Sequence, residues 1–115
     1  MKLKDVLRVS SKVANIRRRD SYLAELAKYE QELEQYQEFH LDALHTYLQD
    51  LRDLNNKAFR DMFTEDQLED FVAQSNATVE ELTDHIQWLY SQITYVKSRI
   101  MMIEDYLGIK HSVMY

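Results

Sequence analysis

The chain has 115 residues, a net charge of −6, no cysteine, no proline and a single glycine, Gly108. That length supports one domain, and the lack of cysteine excludes disulfide bonds and thiolate chemistry and suits a reducing compartment, so the expected location is cytoplasmic. With 30% charged residues and almost nothing to punctuate strands or tight hairpins, the composition is that of long helices, and the expected fold class is all-α.

Residues 1–19 gather half of the positive charge. Lys2, Lys4, Arg8, Lys12, Arg17, Arg18 and Arg19 stand against one acid, Asp5, so the segment carries +6 and the other 96 residues carry −12. Val6, Val9, Val13 and Ile16 form a narrow apolar stripe, beside which Lys4, Arg8 and Lys12 repeat every four residues. A basic amphipathic arm of this kind suits an acidic protein groove. Nucleic acid is disfavoured, because the acidic remainder repels phosphates and no aromatic residue precedes Tyr22 for base stacking. A membrane surface is disfavoured because the stripe offers few large anchors. A solvated helix end needs no partner at all. The opening lacks the apolar core of a secretory signal, although it is basic, serine-containing and acid-poor as mitochondrial transit peptides are.

Residues 20–62 form the expected long central helix. Tyr22, Leu26, Tyr29, Leu33, Tyr36, His40, Ala43 and Tyr47 alternate spacings of four and three, and Leu51, Leu54 and Ala58 continue the stripe. Leu41, Leu44 and Leu48 widen it. The segment LDALHTYL, residues 41–48, is similar to a leucine–aspartate docking motif but carries His45 where that motif prefers leucine, and it is assigned to the core. No breaker separates this helix from the arm, and a helix from about Asp5 to about Met62 would be ~85 Å long.

Thr64 with Gln67 forms a capping box, which predicts a short connecting helix over 64–74, followed by a joint at Ser75–Ala77. A second capping box, Thr78 with Glu81, opens the return helix over 78–107. There Val79, Leu82, Ile86, Leu89, Ile93, Val96, Ile100, Ile103 and Leu107 hold a strict heptad, and Gly108 marks the stop. The expected architecture is a single domain, an antiparallel helical hairpin or coiled coil with a short helix at the bend. A straight parallel dimer satisfies the same heptads, so a homo-oligomer stays open.

Little in the chain carries catalytic chemistry. His40 and His45 are five residues apart and occupy different helix faces. Glu38, Asp42 and His45, or Glu81 and His85, share faces in the way carboxylate–histidine sites of helical bundles do, but solvated surface charge accounts for such spacings in an acidic helix. No nucleophile sits beside a base and no glycine-rich phosphate loop is present. The expectation is a non-enzymatic protein without cofactor or metal. No apolar run approaches the ~20 residues needed to span a bilayer. With Val79 at position a, the g and c positions of the return helix carry Trp88, Tyr95, Arg99, Met102 and Tyr106, a flank of aromatics and methionine away from the seam. Such residues are enriched where proteins bind partners. A foreign helix, a second subunit or the folded-back arm would each cover it.

A basic opening, LKDVLRV with RRR at 17–19, leads into a long tyrosine- and glutamate-rich helix, then TEDQLEDF and a heptad-rich return. In this order of parts the chain resembles the FliJ/YscO family, the central stalks of type III export ATPases. The resemblance implies an antiparallel coiled coil that inserts into a hexameric ATPase, contacts the export gate and engages export chaperones. On that basis the basic arm (Lys4, Arg8, Lys12, Arg17, Arg18, Arg19) would meet the ATPase and the Trp88 flank a chaperone or the gate. The alternatives are a secretion chaperone or co-secreted partner of a helical client, and a nucleic-acid-binding regulator.

Overall fold

The computed structural model describes residues 3–114, with side chains described for Leu3 and from Ser11 onward. Helix α1 spans Leu3–Leu54, α2 spans Lys57–Arg60 and α3 spans Glu65–Leu107. The described residues contain no strand. Helices α1 and α3 pack as an antiparallel hairpin with the short α2 at the bend. Lys4 and Arg8, two cations of the expected arm, lie outside the described side chains.

The bend comes earlier than the apolar periodicity predicts. The backbone amides of Asn55 and Asn56 close α1 with bonds to the Arg52 and Asp53 carbonyls, at 3.1 and 3.0 Å. Asn56 then adopts an extended conformation and its side-chain oxygen accepts the Ala58 amide at 2.9 Å, which caps α2. Asparagine suits the capping role, because its short side chain can accept a backbone donor at the start of a helix. The central helix therefore ends at Leu54 rather than near Met62. The short helix at the bend is Lys57–Arg60, not 64–74.

Thr64 begins the return helix. Its hydroxyl accepts the Gln67 amide at 3.2 Å while the Gln67 side chain accepts the Thr64 amide at 2.9 Å, a complete capping box. Glu65 and Asp66 in the first turn complement the helix dipole. From there α3 runs through Ser75–Ala77 without a joint. The second box is bypassed: the Thr78 hydroxyl donates back to the Gln74 carbonyl at 3.1 Å, as a threonine inside a helix does. Ser75 donates to Asp50, and Asn76 to Glu80, so the polar side chains of the expected joint are occupied inside a helix.

The chain divides into two packed units. Unit 1 is Met1–Glu32 with Leu89–Tyr115, and unit 2 is Leu33–Trp88. Among the described residues the buried apolar side chains, Leu26, Leu89, Ile93, Val96, Ile100 and Ile103, belong to unit 1. Leu89, Val96 and Ile100 are fully enclosed, each contributing about 2 kcal/mol of transfer free energy. In unit 2 the stripe residues Leu33, Tyr36, His40, Ala43 and Tyr47 of α1, and Val79, Leu82 and Ile86 of α3, are half-buried. His40 is tied across to the Thr83 hydroxyl at 2.9 Å, which satisfies a ring nitrogen on the seam. Leu41 and Leu48 are not core; they are 55% and 57% exposed. A two-helix packing has no third neighbour to cover a widened face.

Candidate partner-binding site

Unit 1 carries both an inward polar cluster and an outward apolar one. The inward cluster begins where α3 stops. Gly108 takes a positive φ of 69°, its amide bonds the Asp105 carbonyl at 3.1 Å, and the Ile109 amide bonds the Glu104 carbonyl at 3.0 Å. This is the paired bonding of a Schellman stop, and it turns the chain back over the last helical turn. Ser112 thereby reaches Glu104: its amide donates at 3.0 Å and its hydroxyl at 2.7 Å to the carboxylate. From α1, Arg19 completes the shell through Nε at 2.9 Å and a second guanidinium nitrogen at 2.8 Å. Glu104 is 0% exposed. Burial alone would raise its pKa, but the bonds from Ser112 and then Arg19 outweigh that and hold it below the usual carboxylate value.

Arg19 is thus a structural cation rather than part of a docking arm. Lys12, Arg17 and Arg18, its neighbours in the sequence, remain exposed. Three consecutive arginines fan over a wide arc of α1: Arg19 pairs with Glu104 of α3, and Arg18 lines the groove beside it.

The outward cluster is the expected flank. Tyr95, Met102 and Tyr106 are 53%, 61% and 68% exposed, and Arg99 is exposed between them. The Arg99 guanidinium lies 5.7 Å from the Tyr95 ring centroid, a cation–π arrangement. A hydrogen bond with Tyr22, and after it the charge of the Tyr95 phenol group, raise the Arg99 pKa further. Across the groove α1 contributes Asn15, Arg18 and Tyr22, and with Arg99, Met102, Ile103 and Tyr106 these line a cleft of about 180 Å³. That is below the roughly 300 Å³ at which small-molecule sites begin, so it suits one apolar side chain of a partner. Trp88, the remaining flank residue, belongs to unit 2; its ring stacks on His85 at 5.5 Å, and His85 meets Tyr36 at 4.1 Å.

Among the described residues no group of three or more histidines and acids is placed to hold a metal ion. No described helix is long and apolar enough to cross a membrane. Sequence reasoning missed Glu104 and Ser112, and it missed a cleft at the bend lined by Phe59, Phe63, Leu68 and Phe71. For Glu104 a signal existed: it is the one acid within MMIEDYL that borders the heptad seam. Comparison with protein families, curated proteins and solved structures found no match to this chain.

Proposed function

We propose that this protein is a non-enzymatic helical adaptor whose unit 1 flank, Tyr95, Arg99, Met102 and Tyr106, docks an amphipathic helix of another protein. One observation carries the reading. The heptad residues Leu89, Ile93, Val96, Ile100 and Ile103 are spent inside the hairpin at 0 to 8% exposure, while the flank beside them keeps 53 to 68% of its aromatic and methionine surface in water. A seam already satisfied within the chain leaves this flank as an apolar surface open to an outside partner. Arg18 and Arg99 at its edges select a partner helix with acidic positions.

The family resemblance supplies the setting: a stalk or adaptor of a type III export apparatus, with an export ATPase, the export gate or an export chaperone as partner. The test is direct binding of the purified chain to each of these three proteins by isothermal titration. Binding to one of them that weakens about tenfold or more in Tyr95→Ala/Met102→Ala supports the proposal. Failure to bind all three, or binding that this double variant leaves unchanged, refutes it. A tight one-to-one complex with a single client and no effect on the ATPase assigns the chain to the chaperone class instead.

A further inference from the structure

Charge is divided between the two units. Unit 1 holds eleven basic and seven acidic residues, net +4; unit 2 holds three basic and thirteen acidic, net −10. Between Arg60 and Lys97 every charged side chain is an acid. Unit 2 also contains the phenylalanine cleft. Phe59 lies 5.1 Å from Phe63 and 6.0 Å from Phe71, ring to ring, and with Leu68 they enclose about 270 Å³. Phe63 is 42% exposed at its edge. Asp61, Glu65, Asp66, Glu69 and Asp70 crowd the same bend, and all five are exposed. The cleft therefore suits apolar side chains brought in by a cationic helix.

This chain itself presents such a helix. On α1, Val13 and Ile16 are 42% and 39% exposed, one turn apart. At about 100° per residue, Lys12 and Arg17 flank that pair on either side, and both are exposed. An apolar pair bracketed by cations is the complement of an apolar cleft bracketed by acids.

We infer that a second copy of this chain occupies the phenylalanine cleft, seating the Val13–Ile16 face of its α1 among the acids of the bend. A two-fold pair repeats the contact, so the basic unit of each copy meets the acidic unit of the other. The opposite pairing would set −10 against −10. The pair is held by charge at close range around a small apolar anchor, which makes it weak and salt-sensitive. It uses residues distinct from the Tyr95 flank, so it stands or falls separately from the adaptor reading.

Sedimentation velocity on the full chain at high micromolar concentration, in about 20 mM and about 500 mM salt, tests this directly. The expected result is a two-copy species in low salt whose Kd rises about tenfold or more in high salt. Lys12→Glu/Arg17→Glu and Asp66→Lys/Asp70→Lys should each sediment as monomers. Mixed one to one, they should pair again, because one of the two contacts is then matched with its signs exchanged and the other is native; this recovery excludes misfolding as the cause. Phe63→Ala should abolish pairing in either salt. A monomer at every concentration, a pair indifferent to both charge exchanges, or growth into open filaments would each overturn the inference.

Discussion

Removing Arg19 should destabilise the fold far more than removing either of the arginines beside it. In Arg19→Ala the Glu104 carboxylate keeps its two Ser112 donors but loses the cation paired with it, at a site with no solvent exposure. Breaking a buried ion pair from one side costs about 3–5 kcal/mol. Arg19 retains 22% of its side-chain exposure, which admits some water and places the loss near the low end, about 3 kcal/mol. At this chain length that corresponds to a Tm lower by roughly 12 °C. Arg17→Ala and Arg18→Ala, both exposed, should change stability by about 0.5 kcal/mol or less. Replacing both partners, Arg19→Met with Glu104→Leu, should recover most of the loss, since no charge is then stranded and Ser112 can bond water. Urea unfolding followed by far-ultraviolet circular dichroism measures all four. If Arg19→Ala and Arg18→Ala unfold at the same midpoint, the buried pair does not hold this end of the hairpin together.

The depressed Glu104 pKa makes a signed statement about acid. A carboxyl whose folded pKa lies below its unfolded one contributes stability above about pH 4.5 and loses it as pH falls through the folded value, so the stability gap between wild type and Glu104→Gln should be constant at neutral pH and shrink below about 4.5. Gly108→Ala meets no steric neighbour but must hold a φ of 69°, and should cost about 1–2 kcal/mol by thermal unfolding. Leu89→Ala, at a fully buried position, should cost about 2–5 kcal/mol, whereas Leu48→Ala, at a position 57% exposed, should stay within about 0.5 kcal/mol.

The heptad of α3 could be read directly from the sequence because every seam residue faces one long partner, and a strict period is what such packing requires. The α1 stripe from Tyr22 to Tyr47 was legible for the same reason. The bend was harder. Ala58 continues the apolar spacing of Leu51 and Leu54 past the true end of α1, and the stop is written instead in Asn55–Asn56, where backbone amides close α1 and the Asn56 side chain caps α2. Two capping boxes of equal local quality, at Thr64 and Thr78, could not be ranked locally; Thr64 starts a helix because the chain arrives there from a turn, while Thr78 is already inside one. Of the candidate site, the Tyr95–Tyr106 flank followed from helical geometry alone. The partner of Arg19 did not, because 85 residues separate it from Glu104 and only the hairpin register brings them together. Ser112 escaped notice because its role depends on the tail turning back at Gly108.

The placement of the one tryptophan has a spectroscopic consequence. Trp88 sits in unit 2 against His85, whereas the fully enclosed side chains and the Arg19–Glu104 pair all lie in unit 1. Indole emission therefore watches the half of the chain that holds none of these enclosed side chains, and backbone ellipticity watches both halves. Recording the two signals in one denaturant series turns a single native chromophore into a comparison of the halves. Coincident curves mean that the hairpin melts as one cooperative body, and an earlier indole transition means that the bend half opens first.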